Sequence, residues 1–291
     1  MKTRTGVILA AGWGERLDSQ DSLKPLVHIG HKSLIIWNVE RMQETGLDNI
    51  YVVLGYGGEL IEKELLANPF VNTKIKFINN PKWQDGMLSS ISVIGDIIKE
   101  PFFLSPCDLF FEYNPFDIFF NDDMQFNGVT SLICPSSVQE DFTGANLRIN
   151  VLGDGSISYV KVPDLNSSIE TGIYHFGADA VKTIKSVTNE NGGLRTLPLV
   201  FEHLSKIDML KVLYLKQQTW FDVNTPSVRI RAEMFLRKQP INKSKRVNIR
   251  KRFASLDPFS TFFTRKEIET EIYVKQDCLS EIDTIELIPE N

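Results

Sequence analysis

The sequence has few cysteines and no long hydrophobic run, and each shortage excludes a class of protein. Its three cysteines, among 291 residues, are odd in number and widely separated, so neither a disulfide framework nor a CxxC metal site is expected. No apolar run approaches the roughly 18–20 residues that a membrane span needs. The apolar stretch near the N-terminus ends at residues 12–15 (GWGE), too soon for a signal peptide. We therefore expect a soluble, cytoplasmic protein.

Charge of one sign is not in excess either. Lysine and arginine number 32 against 37 aspartates and glutamates, which gives a net charge of −5. This balance provides no overall attraction to nucleic acid, so no nucleic-acid partner is expected. The four histidines show no metal-binding spacing, and no nucleophile elbow is present to support a hydrolase. Apolar residues make up 42% of the chain, which is ordinary for a protein with a well-buried core.

Short apolar runs alternate with helical patterns over the first 110 residues. The runs are continuous, as in strands that are covered on both faces. We predict strands at residues 6–10, 49–54, 74–78 and 102–104, and helices at residues 33–45, 58–66 and 87–98. This order predicts an α/β fold with an open, mostly parallel mixed sheet flanked by helices. Ligands of such sheets bind beyond the carboxyl ends of the strands.

The second half of the chain has a different pattern. Strand-like runs at 145–152 and 156–162 flank Gly153-Asp154-Gly155, and Asp-Gly between two strands is a strong hairpin signal. Further strands are predicted at residues 128–134, 170–176 and 209–215, and helices near 178–186, 196–204 and 226–236. Pro226 stands in the first turn of the last helix, and Thr225 is its predicted N-cap.

The segment after the first predicted strand combines small residues with positive charge. It runs Leu9-Ala10-Ala11-Gly12-Trp13-Gly14-Glu15-Arg16-Leu17 and continues to Lys24-Pro25-Leu26. Glycines after a buried strand let backbone N–H groups approach phosphate oxygens, and Arg16 and Lys24 add cations suited to a triphosphate. A dinucleotide fingerprint is disfavoured because it needs a third glycine, where this sequence has Leu17. A plain turn with surface cations is the other interpretation.

This pattern, LAAGxGxRL followed by KPL, resembles the signature of the nucleotidyltransferases that join an NTP to a sugar phosphate or alcohol phosphate. The resemblance covers roughly residues 5–238. It implies that the acceptor's phosphate attacks the α-phosphate of the NTP and that pyrophosphate leaves. The residues that it assigns are, for nucleotide binding, Leu9, Ala10, Ala11, Gly12 and Gly14, and, for catalysis, Arg16 and Lys24.

Two aspartates match the metal-binding positions of this family. Asp108 ends the segment SPCD after the fourth predicted strand, and Asp222 stands in WFDVNTP, which resembles the family's W-x-D-V-D-T-P element. Hard oxygen ligands suit Mg²⁺, with substrate phosphates and waters completing the octahedron. The second acid of the family element is Asn224 here, so a third carboxylate ligand is not implied. The alternatives are a turn-capping role for Asp108 and a helix-capping role for Asp222.

Residues 80–90 (NPKWQDGMLSS) resemble the base-recognition segment of the family. Their form is closest to cytidylyltransferases acting on inositol phosphate or phosphocholine, and to molybdopterin nucleotidyltransferases. CTP is therefore the expected donor, and Trp83 is interpreted as a packing residue. The residues assigned to the base are Asn80, Gly86, Ser89 and Ser90.

Lys161 and the segment ETGIY resemble the acceptor-binding part of the family. Lys161 lies eleven residues before Gly172 and resembles the catalytic lysine that holds the acceptor phosphate, although a solvated strand position is the alternative. With ANLRINV at 145–151, these segments look most like the inositol-1-phosphate cytidylyltransferases. The residues assigned to the acceptor are Arg148, Glu170 and Gly172.

The expected partners are a nucleoside triphosphate and a small phosphorylated acceptor. Inositol-1-phosphate, phosphocholine, an aminoalkylphosphonate and a hexose-1-phosphate all stay open as acceptors. One alternative is a sugar-1-phosphate nucleotidyltransferase that uses UTP, dTTP or GTP. The alternative from another class is a regulatory protein that binds a nucleotide without turnover.

The composition changes near residue 238, where we place the end of the catalytic domain (1–238). Residues 237–252 carry eight basic residues and no acidic one, whereas residues 264–291 carry eight acidic residues and three basic ones. The extension at 239–291 has no assigned role. Its basic stretch is either a solvated linker or a strip that makes peripheral contact with an anionic membrane. Oligomeric state, including a homo-oligomer, stays open.

Overall fold

The computed structural model describes most of the chain up to residue 238. The described residues are 4–13, 23–69, 71, 74–121, 125–135, 147–161, 167–190, 194–215 and 219–238. Of these, residues 4–28 and 32–232 belong to one compact unit, and residues 29–31 and 233–238 belong to another. The extension at 239–291 lies outside the described residues, so its separation as a domain stays a prediction. Within the described ranges no helix is both long and apolar enough to cross a membrane.

The regular elements alternate along the chain much as the apolar pattern predicts. The described strands are β1 (Thr5–Ala10), β2 (His28–Ile29), β3 (Lys32–Ser33), β4 (Asn49–Leu54), β5 (Ile75–Asn79), β6 (Phe102–Pro106), β7 (Leu109–Phe111), β8 (Val129–Pro135), β9 (Arg148–Val151), β10 (Ile157–Val160), β11 (Ser168–Phe176), β12 (Leu210–Tyr214) and β13 (Trp220–Asp222). The described α-helices are α1 (Leu34–Glu44), α2 (Gly58–Ala67), α3 (Met87–Ile97), α4 (Ala180–Glu190), α5 (Leu197–Lys206) and α6 (Pro226–Lys238). Short 3-10 helices lie at Lys24–Leu26, Trp83–Asp85 and Pro115–Asn121.

Nine of the described strands form one mixed sheet. Its main order is β10-β9-β11-β6-β1-β4-β5, and β8 and β12 extend it from β11. Strands β6, β1, β4 and β5 are parallel to one another, as expected for continuous apolar strands connected through helices. Strand β11 makes the sheet mixed because it is antiparallel to β6, β8 and β9. The fold class predicted from the sequence is confirmed.

Strand β1 lies in the middle of the parallel part and is buried at every position. Because successive side chains of a strand point to opposite faces, Val7 and Leu9 join the core on one side of the sheet, with α3, α4 and α5. Ile8 and Ala10 join the core on the other side, with α1 and α2. Each buried Val, Leu or Ile contributes about 1.5–3 kcal/mol relative to exposure. The position of β1 is therefore fixed from both faces.

Two local predictions for the second half of the chain are confirmed. Strands β9 and β10 form an antiparallel hairpin, and Gly155 in its turn has a φ of 85°, which favours glycine. At the start of α6, the N–H of Val228 donates to Oγ1 of Thr225 at 3.4 Å, as expected of an N-cap. Strands β9 and β10 are shorter than predicted within the described residues. The short strands β7 and β13 were not predicted.

Candidate active site

The aspartates Asp108 and Asp222 are brought together by the ladder of β7 and β13. The two strands pair antiparallel, with Asp222 opposite Leu109, and the N–H of Val223 donates to the carbonyl of Asp108 at 2.9 Å. Stacked rings of Phe111 and Trp220, with centroids 5.5 Å apart, hold the other end of the ladder. The two predicted metal ligands therefore lie side by side, although they are far apart in the chain.

The ammonium group of Lys24 lies between these two segments. Its Nζ donates to the carboxylate of Asp108 and to the amide oxygen of Asn224, and the lysine side chain is only 13% exposed. Burial by itself would lower the pKa of Lys24. The negative charges of Asp108 and Asp222 and the hydrogen bond to Asp108 outweigh burial, so the pKa of Lys24 lies above its ordinary value. Lys24 is therefore a fixed positive charge at this site.

The second carboxylate oxygen of Asp108 shows whether a metal would fit. This oxygen, Oδ1, is buried and accepts no hydrogen bond from the described residues. A buried carboxylate oxygen without a partner costs free energy, which a bound cation would offset. Asp108, with Asp222 beside it, therefore suits a hard divalent cation such as Mg²⁺. No group of three or more His, Cys, Asp or Glu side chains forms a metal cage in the described part of the chain, so substrate or water would supply further ligands.

Asn38, which the sequence analysis missed, holds the segment that carries Asp108. It is buried in α1, and its Nδ2 donates to the carbonyls of Cys107 and Leu109 at 3.1 and 3.0 Å. Its Oδ1 accepts a hydrogen bond from Ser105 at 3.2 Å. In the sequence, the only indication of this role was that Asn38 is a polar residue on the apolar face of a predicted helix. Asn38 thus connects the first helix to the turn between β6 and β7.

We expect Asn38→Ala to lower the free energy of unfolding by about 2–4 kcal/mol, because it leaves two buried carbonyls without their donor. Asn38→Asp should be similarly destabilising, since an ionised carboxylate donates no hydrogen bond. Urea denaturation measures the loss, and Asn127→Ala, at an exposed asparagine, is the matched control. Equal stability of Asn38→Ala and the control would contradict this role.

The glycine-rich segment begins where β1 ends. The carbonyl of Leu9 accepts a hydrogen bond from the N–H of Cys107, and the carbonyl of Ala11 accepts one from Tyr56, both at 3.0 Å. Ala10 and Ala11 are buried, whereas Gly12 is exposed. A Cβ at Gly12 would meet no atom of the described residues within 4 Å, so packing against this part of the chain does not require a glycine there. Gly14 and Arg16 lie outside the described residues, so the structure leaves their assignments as predictions.

The predicted base-recognition segment is held together by Asn80. This side chain is completely buried, and its Nδ2 donates to the hydroxyls of Ser89 and Ser90, both at 2.9 Å. Its Oδ1 accepts a hydrogen bond from the N–H of Lys82, also at 2.9 Å. The hydroxyl of Ser89 donates to the carbonyls of Lys82 and Gly86. The polar groups of Asn80 are thus engaged within the segment, and its contact with a base stays a prediction.

The predicted acceptor residues lie on β9, β11 and the end of β10. Gly172 has a φ of 83° at an irregularity in the pairing of β11 with β8. A Cβ at Gly172 would lie 3.0 Å from Cγ of Pro106, so β11 approaches the Asp108 segment here. Lys161 is exposed just after β10, and Arg148 is half-buried on β9. The structure therefore places Gly172 next to the aspartate site, while Lys161 and Arg148 stand on the neighbouring hairpin.

Glu170 is a buried acid within this acceptor region. The hydroxyl of Tyr159 donates to its Oε1 at 2.9 Å, and Ser131 donates to the same atom at 3.5 Å. Burial raises the pKa of Glu170 to about 7, and the hydrogen bonds that it accepts offset only part of this effect. Glu170 therefore titrates near neutral pH in the folded protein.

This shift makes the effect of Glu170→Gln on stability depend on pH. The folded pKa of about 7 exceeds the ordinary value of 4.5, so the stability gained from the protonated acid is complete below pH 4.5 and is lost as the pH rises through 7. The variant lacks this loss, so its unfolding free energy relative to the parent should rise between pH 5 and pH 8, by up to about 3 kcal/mol. Urea denaturation across this range measures the difference.

Glu59→Gln, at an exposed position of α2, is the control for this comparison. A difference between Glu170→Gln and the parent that stays constant from pH 5 to pH 8 would show that Glu170 does not titrate as described.

Residues 6–113 match the family model of the MobA-like NTP transferase domain. The matched segment includes β1 from its second residue onward, the glycine-rich turn, Lys24, residues 80–90 and Asp108. The segments with Lys161, Glu170 and Asp222 lie outside the match. The nucleotide side of the predicted site is thus the part that this match covers.

The curated proteins that are similar to the chain include the following two. The bifunctional protein GlmU of Blochmanniella pennsylvanica is 41% identical over 66 residues, which cover 23% of this chain and 14% of that protein. The mannose-1-phosphate guanylyltransferase catalytic subunit beta of Danio rerio is 23% identical over 239 residues, 76% of this chain and 61% of that protein. The chain therefore spans less than two thirds of either relative.

A solved structure extends the likeness of the fold to most of the chain. The inositol-1-phosphate CTP transferase from T. maritima has a TM-score of 0.63 and a sequence identity of 18%, over 80% of this chain and 95% of that chain. At this level of identity the comparison establishes the architecture of the sheet and its flanking helices.

Proposed function

We propose that the protein is a Mg²⁺-dependent nucleotidyltransferase, because residues 6–113 match the family model of the MobA-like NTP transferase domain. The proposed reaction joins an NTP to a small phosphorylated acceptor and releases pyrophosphate. The observation that carries the proposal is the ammonium of Lys24, buried against Asp108 and Asn224 with Asp222 alongside. Positive charge beside two carboxylates, beyond the carboxyl ends of β1 and β6, suits a metal–triphosphate complex.

The glycine-rich turn supplies the first part of the proposed mechanism. Since no atom of the described residues would meet a Cβ at Gly12, the absence of a side chain there supports close approach of the triphosphate. Lys24 then neutralises phosphate charge, a task for which its raised pKa keeps it protonated. Catalysis of this kind consists of positioning and electrostatic stabilisation.

Asp108 and Asp222 would hold the metal. When bound, Mg²⁺ would supply charge neutralisation at the phosphates. Oδ1 of Asp108, buried without a partner among the described residues, supports this assignment. Cys107 stands next to Asp108, but burial and the charge of Asp108 raise the pKa of its thiol, so it stays protonated and is a poor nucleophile. This supports direct attack by the acceptor's phosphate without a protein nucleophile.

On the acceptor side, we propose that Lys161 and Arg148 attract the phosphate of the acceptor, with Glu170 and Gly172 lining its binding site. The exposure of Lys161 and the approach of Gly172 to Pro106 support this arrangement. An alcohol phosphate such as inositol-1-phosphate or phosphocholine is the proposed acceptor. The resemblance of residues 80–90 to cytidylyltransferases supports CTP as the donor.

We expect Asp108→Asn and Asp222→Asn each to lower turnover by about 100-fold or more, because each removes ligand charge at the metal–phosphate site. Pyrophosphate release at saturating Mg²⁺ measures the effect, and circular dichroism checks the fold. Asp179→Asn, at an exposed aspartate, is the matched control. Near-parental turnover of either variant would remove that aspartate from the mechanism.

A panel of four NTPs against alcohol phosphates and sugar phosphates tests the donor and the acceptor. We expect the highest kcat/KM with CTP, and mass spectrometry should detect the matching CDP-alcohol. A higher kcat/KM with UTP, dTTP or GTP would refute CTP as the donor. Nucleotide binding without pyrophosphate release from any pair would instead favour a regulatory protein.

A further inference from the structure

Three aromatic side chains form a strip at the carboxyl edge of the sheet. Trp13 follows β1, Tyr56 follows β4, and Trp83 follows β5. The rings of Trp13 and Tyr56 are stacked, with centroids 5.1 Å apart and planes 9° from parallel. The rings of Tyr56 and Trp83 are 5.7 Å apart and tilted by 55°. We call these three residues the aromatic strip.

The backbone beneath the aromatic strip is tightly packed. A Cβ at Gly55 would lie 2.6 Å from the carbonyl oxygen of Ala11 and 2.7 Å from Cβ of Trp83. The N–H of Tyr56 donates to that same carbonyl of Ala11 at 3.0 Å. Trp83 is partly buried against the core, which confirms its interpretation as a packing residue. The aromatic strip is therefore a packed surface that is supported by the ends of three strands.

The outer end of the aromatic strip is open to solvent. Trp13 is 57% exposed and Tyr56 is 40% exposed. One face of the Trp13 ring is covered by Tyr56, so an exposure of more than half leaves the opposite face accessible. A large aromatic ring that is stacked on one face and exposed to solvent on the other is suited to stack with another flat ring.

The location of the aromatic strip indicates which kind of ligand ring would stack on Trp13. The end of β1 is hydrogen-bonded on one side to Tyr56 and on the other side to Cys107, the neighbour of Asp108. The end of β1 thus connects Tyr56 of the aromatic strip to the segment that carries Asp108. A nucleoside triphosphate has a matching arrangement, with a flat base at one end and a polyanion at the other.

We propose that the base of the nucleoside triphosphate stacks on the accessible face of Trp13, supported from beneath by Tyr56. This inference rests on the proposed function, because it places the triphosphate at Lys24 and Asp108. Every base has a π face, so stacking adds affinity for any NTP and leaves the choice of base to polar groups at its edge. Asn80, whose polar groups are engaged internally, is then a positioning residue that shapes the neighbouring segment.

The test measures binding of CTP, GTP and inorganic tripolyphosphate to the full-length protein with Mg²⁺, by equilibrium dialysis. Trp13→Ala should weaken both nucleotides by roughly 5- to 100-fold, the range for losing one stacked base, and should leave tripolyphosphate binding unchanged. Trp13→Phe, which keeps a ring, should weaken nucleotide binding by less than about threefold. Tyr214→Ala, at an exposed aromatic residue of β12, is the matched control and should bind all three ligands as the parent does.

Tryptophan fluorescence supplies a readout that a merely structural role would not change. A base stacked on the Trp13 indole should quench its emission, and tripolyphosphate should not. Trp13→Phe should lose the CTP-dependent quenching while it still binds CTP in dialysis. Quenching that persists in Trp13→Phe would overturn the assignment.

The outcomes separate this inference from the proposed function. If Trp13→Ala and the parent bind CTP and GTP equally, stacking on Trp13 is wrong while nucleotidyl transfer still stands. If Trp13→Ala loses nucleotide affinity but the parent releases no pyrophosphate with any acceptor, stacking stands and the proposed function falls. A parent protein that binds no nucleotide overturns both.

Discussion

The buried ammonium of Lys24 connects its own segment to groups from two other, distant parts of the chain. A buried charge is tolerated only where it is paired, and here its partners are Asp108, from the turn after β6, and Asn224, from the segment after β13. With Asp222 nearby, negative charge exceeds positive charge in this cluster. The cluster is stable only if these three segments meet, and its excess negative charge is what a divalent cation would neutralise.

The meeting of these segments depends on the burial of β1. Covered on both faces and paired on both edges, β1 is placed by the sheet, and the chain that leaves it must emerge at one point of the carboxyl edge. On one side of that point stand Lys24, Asp108 and Asp222, and on the other stands the aromatic strip. The end of β1, which is hydrogen-bonded to both Tyr56 and Cys107, thus connects a charged region to an aromatic one.

The predicted acceptor region is constructed differently. It belongs to β9, β10 and β11, which join the sheet antiparallel and place a buried carboxyl group, Glu170, where its pKa rises to about 7. Gly172 brings this region close to Pro106 and so to the aspartates. Strand β11 is paired with β6, so movement of either strand would change the spacing between the predicted acceptor residues and the two aspartates.

The apolar pattern determined most elements of the fold before any tertiary contact was considered. Strand β4 lies at the predicted residues, and helices α1, α2 and α3 differ from prediction by a residue or two at their ends. These elements have long periodic patterns with clear ends. The Asp-Gly hairpin and the Thr225 cap could also be predicted from the sequence, because each depends on residues close together in the chain.

Other features of the site were decided only by the tertiary structure, because no pattern of neighbouring residues encodes them. Strands β7 and β13 have three residues each and exist because they pair with each other. The apolar pattern of either segment alone therefore could not predict that Asp108 and Asp222 lie next to each other. The motif pointed to Lys24, but its contact with Asn224 required the two ends of the main unit to meet. Asn38 and the stacking of Trp13 on Tyr56 likewise depend on neighbours from distant segments. The sequence by itself determined the strands, the helices and the chemistry of the motifs, because these depend on near neighbours; the distances between the motifs were decided by long-range packing.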